Sequence, residues 1–467
     1  MTEQIRQKLS DSKRARWTAL IIVSVTMMMG YFLTDVIAPL EPMLEAPAAQ
    51  GGLGWPPSDY GVFSGSYGFI NVFLFMLFFG GIILDKAGIR FTGNLACVLM
   101  VGGALIKFYA IAFMSQEGTT YINIPVIGSY TGFDHAIKNQ VIMASLGFAI
   151  FGTGCEIAGI TISKVMTKWF TGHELALAMG IQVALARLGT ALTFIVSIPV
   201  ATRFGISAPL LLGVILLVIG LLLWLVYDVM DIKLDKSVPV SENLSSSSEE
   251  DKFHISDLGL IFKNPGFWLI TCMCFCFYGA IFPFLKFATK IMIVKYHVAP
   301  VSAGIIPSLM PFGTIILTPL FGAVYDKIGK GATLMIAGSV LLTLIHICFA
   351  LPVLNVAPFA IFLIIMLGVA FSLVPSAMWP SVPKIIPMKQ LGSAYAIIFY
   401  IQNIGLAIIP MVIGKIIERN TTDGVTDFTV PMISFAVLGF VAVVLGCVLK
   451  VLDRVKGYAL EKANIED

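Results

Sequence analysis

Charge is what this 467-residue chain has least of: Asp, Glu, Lys and Arg make up only 12% of it, while 58% is hydrophobic. Soluble domains carry about twice that share of charge. The mean hydropathy is +0.92, and apolar stretches long enough to cross a bilayer, about 20 residues each, recur along the whole chain. We therefore expect an all-α membrane protein with no separate soluble domain.

A large basic excess, a metal-ligand cluster and a catalytic constellation are also lacking. The net charge of +3 is too small to favour a nucleic-acid partner. Cys272, Cys274 and Cys276 occupy alternate positions of one apolar stretch, and on a helix such positions do not converge on a metal ion. No set of nucleophile, base and orienting group can be assembled from the apolar runs. These absences predict a protein that is not an enzyme and that binds no metal, cofactor or nucleic acid.

Twelve apolar runs are predicted to cross the membrane, six on each side of a polar gap. We number them spans one to twelve, at 17–40, 60–84, 91–114, 140–163, 175–202, 208–227, 267–290, 303–324, 332–351, 358–379, 391–417 and 431–449. The gap contains SENLSSSSEEDK, which is too polar to insert. The predicted division is a tail 1–16, a six-helix bundle 17–227, a linker 228–263, a second six-helix bundle 264–450 and a tail 451–467.

Basic residues are distributed unevenly between the two sides of the membrane. An even number of spans places both termini on one side, where 21 Lys and Arg residues fall against 6 on the other. Because basic loops are retained in the cytosol, this bias predicts cytosolic termini and a cytosolic linker.

A short charged motif occurs twice, as GGIILDKAGIR after span two and as FGAVYDKIGKG after span eight. The shared positions are Gly81, Asp85, Lys86, Gly88 and Arg90 in the first copy and Gly322, Asp326, Lys327, Gly329 and Lys330 in the second. Glycine permits a tight turn, an acid can cap a helix, and bases hold the turn at the surface. An ordinary charged loop explains one copy, whereas two copies at equivalent positions indicate duplication.

This motif resembles the signature turn of the major facilitator superfamily. The resemblance implies two pseudo-symmetric six-helix bundles around a central solute cavity that opens alternately to each side of the membrane.

Two opposite charges remain inside neighbouring spans, Glu156 in span four and Arg187 in span five. The midpoint between them falls in the turn at 171–172, so both should lie at one depth, about 23 Å from that turn at about 1.5 Å per residue. Charges at this depth need a partner or water. Two arrangements fit: a structural ion pair, or a receptor whose carboxylate binds the ammonium of a zwitterion and whose guanidinium binds its carboxylate.

Three blocks resemble the lysosomal dipeptide transporter family of the same superfamily. They are GTGCEIAGITISKVMTKWFTGHELALAMGIQVALARLGT, AMWPSVPKIIPMKQLGSAYAIIFYIQNIGLAIIP and FWLITCMCFCFYGAIFPF. The resemblance implies that Glu156 binds the amine and Arg187 the carboxylate of a peptide. Asp35 resembles an acid of the family's first span, which implies a second amine contact or a proton site; a helix-to-helix hydrogen bond is the alternative.

Other intramembrane residues are weaker candidates for the cavity. Trp379, Gln402 and Asn403 can line it, although a Trp between helices is more often core. Lys107 can face the pore or reach the interface along its aliphatic stem. Lys286, near the outer end of span seven, can reach the interface in the same way or lie at the cavity mouth. His346 can carry a proton, but a lone His is more often a packing residue.

The sequence thus favours transport of small zwitterions, above all dipeptides, by alternating access. The alternatives are an organic-anion or drug carrier, with Arg187 and Lys107 as its anion site, and a non-transporting receptor or scaffold. The expected setting is a cell membrane, with a lysosomal membrane as the alternative. Proton coupling or uniport, direction, side-chain preference, oligomeric state and an accessory subunit are left open by the sequence.

Overall fold

The structure is a computed structural model that describes residues 9–170, 173–237, 255–387, 390–422 and 425–463. Within these ranges the chain is almost entirely helical, and eleven helices are long and apolar enough to cross a membrane. The rest of the predicted tails and linker, at 1–8, 464–467 and 238–254, lies outside the described residues. The all-α membrane fold is confirmed.

Four N-terminal crossings are continuous helices. Spans one, four, five and six are Lys13–Asp35, Asn139–Phe170, Leu175–Phe204 and Ala208–Ser237. A turn at Ala38–Leu40 and a short helix at Glu41–Glu45 follow span one. We call the side of the membrane that holds both chain ends the terminal face, and the opposite side the far face.

Span two is the crossing that is not one continuous helix. It begins with Pro57–Gly65, the turn Ser66–Gly68 and Phe69–Phe73, and it enters the long helix Met76–Phe113 after an interruption at Phe75, whose φ is 54°. Seventeen residues of irregular helix, 57–73, therefore form the far half of this crossing.

The chain reverses direction at Gly88, inside the helix Met76–Phe113. The Gly88 backbone is non-helical, with φ 81° and ψ 172°. Before it, Gly80 packs against Ile157 of span four; after it, Ala96 packs against Gly154 of the same span. Since these flanking positions lie at one level of span four, residues 89–113 run back across the membrane as span three. The described part of the chain thus makes the twelve crossings that were predicted.

The C-terminal bundle follows a short helix at Ile255–Phe262. Spans seven to twelve are Pro265–Val294, Ile305–Ile328, Gly331–Ala350, Ala357–Ile385, Leu391–Arg419 and Thr429–Lys456. Asn264 caps span seven, because its side-chain oxygen accepts hydrogen bonds from the amides of Gly266 and Phe267.

Span six continues to Ser237, ten residues beyond its predicted end at 227. Its polar end is stabilised by ion pairs that hydropathy does not register. Lys168 of span four places its Nζ 2.7 Å from carboxylate oxygens of both Asp231 and Asp235. Arg90 of span three lies 2.9 Å from Asp235.

Residues 457–463, predicted as tail, pack on the C-terminal bundle. Leu460 is fully buried, and its carbonyl accepts a hydrogen bond from the amide of Gly331. The Glu461 carboxylate accepts hydrogen bonds from the amide and hydroxyl of Thr333 in the first turn of span nine. The carboxylate therefore caps that helix.

Two small hairpins lie on the far face. Strands Thr119–Asn123 and Asp134–Lys138 pair antiparallel between spans three and four, with the short helix Gly128–Thr131 in their connection. Strands Thr421–Thr422 and Val425–Thr426 pair between spans eleven and twelve.

The bundles meet along spans two and eleven, along spans five and eight, and where span seven packs against the turn and short helix that follow span one. Contact is close at the far end, where a Cβ on Gly414 would stand 2.4 Å from the carbonyl oxygen of Pro57. Toward the terminal face, Gly180 of span five and Gly322 of span eight face open space and line a cavity. The molecule is therefore closed at the far face and open at the terminal face.

Candidate substrate-binding site

A cavity of about 750 Å³ lies between the two bundles and reaches the terminal face. Its N-terminal wall includes Tyr31, Asp35, Tyr67, Glu156 and Arg187, and its C-terminal wall includes Tyr278, Phe282, Lys286, Phe371, Trp379, Phe399 and Gln402. The first wall carries three of the four charged residues that line the cavity, whereas the second is mainly aromatic.

Glu156 faces the cavity from span four, anchored by a tyrosine of span two. The Tyr67 hydroxyl donates a hydrogen bond of 2.9 Å to the Glu156 carboxylate. The two spans come close because Gly152 has no side chain: a Cβ there would stand 2.3 Å from the Tyr67 carbonyl oxygen. One carboxylate oxygen is thus held in place while the group still borders the cavity.

Arg187 reaches across the cavity from span five to the opposite bundle. Its guanidinium carbon lies 5.1 Å from the centre of the Phe371 ring and 5.5 Å from that of Phe282. Rings at this distance attract a cation through their quadrupole. Arg187 therefore joins the two bundles at the level of the cavity without using a carboxylate.

Glu156 and Arg187 do not form a salt bridge with each other. Among the described residues, no carboxylate oxygen lies within 4 Å of the guanidinium. Both residues line the same cavity, as their equal separation from the intervening turn led us to expect. The alternative of a locking ion pair between spans four and five does not describe this conformation, and the two charges are free to bind different groups of a solute.

Asp35 forms a salt bridge across the bundles at the closed end of the cavity. Lys286 of span seven places its Nζ 2.6 Å from a carboxylate oxygen of Asp35, and both side chains are largely buried. One turn further along span seven, Lys290 pairs with Glu41 and Glu45. These pairs seal the far side of the molecule.

Two of the three polar candidates on spans ten and eleven line the cavity. The Trp379 indole donates a 3.0 Å hydrogen bond to the Tyr278 hydroxyl and stacks on Phe399. The Gln402 side-chain oxygen accepts a hydrogen bond from the Cys274 thiol. Asn403 is not in the cavity wall: it is buried along the seam with span two, and its amide donates to a carbonyl of its own helix.

Lys107 does not reach the cavity. Its side chain is fully buried; the ammonium donates a 3.2 Å hydrogen bond to the Leu33 carbonyl and lies 4.4 Å from the centre of the Phe148 ring. A carbonyl and an aromatic face replace water around the charge, so neither pore exposure nor snorkelling is needed. His346 is likewise buried away from the cavity, against Phe284 and Phe435.

The repeated motif holds the terminal ends of the spans together within each bundle. Asp85 pairs with Lys164 of span four at 2.7 Å rather than capping a helix, and Arg90 pairs with span six. In the second copy Gly329 has a φ of 72°, and the amide of Lys330 donates to the Glu461 carbonyl. Gly81, Lys86, Asp326 and Lys327 lie at these same helix ends.

Several cavity residues were missed by reasoning from the sequence. Phe282 and Phe371 look like ordinary apolar residues of spans seven and ten, and nothing local links them to Arg187. Tyr67 has one usable signal, since a tyrosine inside an apolar run usually needs a hydrogen-bond partner. The pairing of Lys286 with Asp35 joins residues 251 positions apart, and only the fold brings them together.

The fold and the cavity define a class: a multi-pass membrane transporter built from two six-helix bundles. The profile of the Major Facilitator Superfamily matches residues 126–410 and 287–463, and the chain belongs to that superfamily.

Curated relatives include the lysosomal dipeptide transporter MFSD1 of Gallus gallus, which is 30% identical over 66% of this chain and 70% of its own length. The protein of the same name from Homo sapiens is 26% identical over 80% of this chain and 75% of its own length.

Solved structures with a similar fold include the nucleoside transporter NupG, with a TM-score of 0.64 and 15% identity over 94% of this chain and 98% of that one. A POT family transporter in complex with a thioalcohol-conjugated peptide has a TM-score of 0.66 and 14% identity over 94% of this chain and 96% of its own. At these identities the structural likeness concerns the fold alone.

Proposed function

We propose that this transporter moves dipeptides, with Glu156 binding the ammonium group and Arg187 binding the carboxylate. The observation that carries the proposal is that these two charges, from adjacent helices, border one water-accessible cavity without neutralising each other. Every dipeptide has these two termini, so recognition through them leaves the side chains free to vary.

The size and polarity of the cavity support this substrate class. Its volume of about 750 Å³ lies in the range typical of small-molecule sites, about 300–1,000 Å³. The charged wall suits a zwitterionic backbone and the aromatic wall suits its side chains. The relatives named as dipeptide transporters support the same choice.

The proposed orientation places the terminal face in the cytosol, on the strength of the basic residues on that side. The conformation described above is then open to the cytosol and closed to the outside. A cell membrane is the proposed setting, although the relatives named above are lysosomal.

Uptake of labelled Ala-Ala into proteoliposomes tests the proposal. Glu156→Gln and Arg187→Ala should each abolish uptake, because each leaves one end of the substrate without its partner. Glu117→Gln and Arg203→Ala are matched controls, since both residues are exposed and lie outside the cavity. Wild-type uptake rates in Glu156→Gln or Arg187→Ala, with normal expression, would defeat the assignment.

A carrier of organic anions is the second candidate, favoured by the absence of a carboxylate next to Arg187 among the described residues. The burial of Lys107 removes the second cation that such a site was expected to contain. Competition distinguishes the two functions: an anion carrier is inhibited by monocarboxylates as strongly as by dipeptides, whereas a dipeptide carrier is not.

A further inference from the structure

The loop between spans three and four ends in an apolar tip, residues 124–133, with the sequence IPVIGSYTGF. Ile124, Val126, Ile127 and Tyr130 all expose their side chains. Exposed apolar residues clustered on an extramembrane loop are unfavourable in water and usually mark a contact surface. The tip lies between the two strands of the hairpin, of which the second carries Asp134 and Lys138.

The backbone of the tip is strained in a way that turns an apolar group outward. Val126 has a φ of 68°, a conformation that is costly for a β-branched residue. Neighbouring hydrogen bonds hold the turn, from the amide of Ile127 to the Pro125 carbonyl and from the amide of Gly128 to the Ile124 carbonyl, each 2.8 Å long. The strained residue leaves 82% of its surface uncovered, so this turn displays an apolar side chain where glycine or asparagine would fit the backbone better.

The C-terminal end of the tip lies against the far half of span two and not beyond its end. A Cβ on Gly132 would lie 3.3 Å from the Val62 side chain, in the second turn of span two. The Phe133 ring lies 6.4 Å from that of Phe69, which in turn lies 5.9 Å from Phe73. Phe73 is exposed on the outer surface of span two. The three rings of Phe133, Phe69 and Phe73 therefore form a row from the tip to the outer surface of the helices.

Polar contacts fix the tip across the seam between the two bundles. Asp134 pairs with Lys415 of span eleven at 3.1 Å, and the Ser129 carbonyl accepts a 2.6 Å hydrogen bond from Arg419 of the same span. The Arg419 guanidinium lies 6.0 Å from the Tyr130 ring. Tyrosine and arginine side by side at the end of a span are typical of the boundary between headgroups and hydrocarbon.

We propose that the tip, residues 124–133, is inserted into the far leaflet of the bilayer beside spans two and eleven. Its partner is a lipid surface: the exposed side chains enter the boundary between headgroups and acyl chains, and Arg419 stays at headgroup level. This anchor belongs to the N-terminal bundle but touches the C-terminal one, so the leaflet contacts the seam that must part when the far face opens.

Spin-label accessibility in proteoliposomes tests the insertion. Val126→Cys and Ile127→Cys are labelled in a background where the exposed native cysteines, Cys272 and Cys447, are changed to serine. Phe73→Cys serves as the lipid-facing control. Glu117→Cys, at an exposed position, serves as the water-facing control. Labels at the tip should be accessible to oxygen and shielded from a water-soluble nickel chelate, as at Phe73.

Two results would overturn the proposal. A tip label as accessible to nickel as the label at Glu117 would place the tip in water. A tip label shielded from both reagents would mean that protein, and not lipid, covers it. As a second measurement, Ile127→Asp should shift a label on Tyr130→Cys toward nickel accessibility, while Ile127→Val should leave it unchanged.

Discussion

At the scale of residues, the two proposed binding charges are held by different means. Glu156 accepts a hydrogen bond from Tyr67, so its position depends on its own bundle. Arg187 lies against Phe282 and Phe371, so its position depends on the opposite bundle. A substrate that draws Arg187 from these rings would alter a contact between the bundles, which links binding to movement.

Removing the hydroxyl that anchors Glu156 should weaken transport without abolishing it. Hydrogen bonds to charged groups contribute about 1.5–3 kcal/mol. We therefore expect Tyr67→Phe to raise the KM for dipeptide uptake by about tenfold or more. Tyr109→Phe, at an exposed tyrosine outside the cavity, is the control and should leave KM unchanged. An unchanged KM in Tyr67→Phe would show that Glu156 does not need this anchor.

The far face should be sensitive to pH through His135. Its ring nitrogen lies 2.7 Å from a carboxylate oxygen of buried Asp59, and this hydrogen bond raises the pKa of His135 above its ordinary value, against a smaller opposing effect of burial. A raised pKa means that the folded state is stabilised by protonation below the ordinary pKa of about 6.5 and loses this stabilisation as pH rises through the raised value.

Thermal unfolding measured across that pH range tests this expectation. The Tm of the wild type should fall as pH rises from about 6 to 8, whereas His135→Gln should show a flatter dependence. Asp134 also contacts this ring, and Lys415 pairs with Asp134. Because the charge of Lys415 lowers the pKa of His135, Lys415→Met should keep the fall. Parallel curves for the wild type and His135→Gln would rule out His135 as the source.

The sequence predicted part of the site because depth follows from helical rise. Equal distances from one turn placed Glu156 and Arg187 at one level, and the structure has them on one cavity. Lys107 could not be placed in this way, since burial against a ring and a carbonyl depends on tertiary packing. Gln402 and Asn403 are consecutive residues of span eleven that face different sides of the helix. Only Gln402 lines the cavity, and the sequence alone does not show which side faces it.

At the scale of elements, the turn between spans two and three depends on one glycine. Gly88 has φ 81° and ψ 172°, a region that is essentially restricted to glycine. We expect Gly88→Ala to lower the free energy of unfolding by about 1 to 3 kcal/mol, measured by thermal unfolding in detergent. Gly81→Ala, seven positions earlier in open space, is the matched control and should have little effect. Equal stability of the two variants would contradict this account of the turn.

The far closure should depend on the lysines of span seven. Lys290 pairs with Glu41, which is fully buried, and removing one partner of a buried pair costs about 3–5 kcal/mol. Lys290→Met should therefore favour opening at the far face and increase labelling of a cysteine placed at buried Phe63 by a membrane-impermeant maleimide. Lys295→Met is the control, because that lysine bonds to backbone carbonyls of span nine and its C-terminal end. Unchanged labelling in Lys290→Met would contradict a sealing role.

Hydropathy predicted the existence of the elements better than their shape. The irregular far half of span two and the helical extension of span six were not visible in it. Each depends on interactions between spans, such as the approach of Gly414 to Pro57 and the ion pairs of Lys168. The apolar content of a segment indicates whether it lies in lipid or in water. The irregular half of span two and the extension of span six depend instead on contacts with neighbouring helices.

At the scale of the whole molecule, duplication predicted two bundles but could not predict which face is open. Opening is set by contacts between bundles, here the pairs of Lys286 and Lys290 and the seam of spans two and eleven. Alternating access requires these contacts to break while the cavity closes at the terminal face. The proposed binding charges, Glu156 and Arg187, line the cavity between the far closure and the open terminal face, where a solute can be reached from each side in turn.

The proposed transport requires Glu156 and Arg187 each to bind one end of the same molecule, and a binding cycle with blocked dipeptides measures this directly. Calorimetric titration of purified wild type, Glu156→Gln and Arg187→Ala is carried out with Ala-Ala, its N-acetyl form and its C-terminal amide. In the wild type each block should weaken binding by about 30-fold or more. Acetylation should cause no further loss in Glu156→Gln, and amidation none in Arg187→Ala. If each block weakens binding to the variants as much as to the wild type, the two residues do not hold the two ends and the account is contradicted.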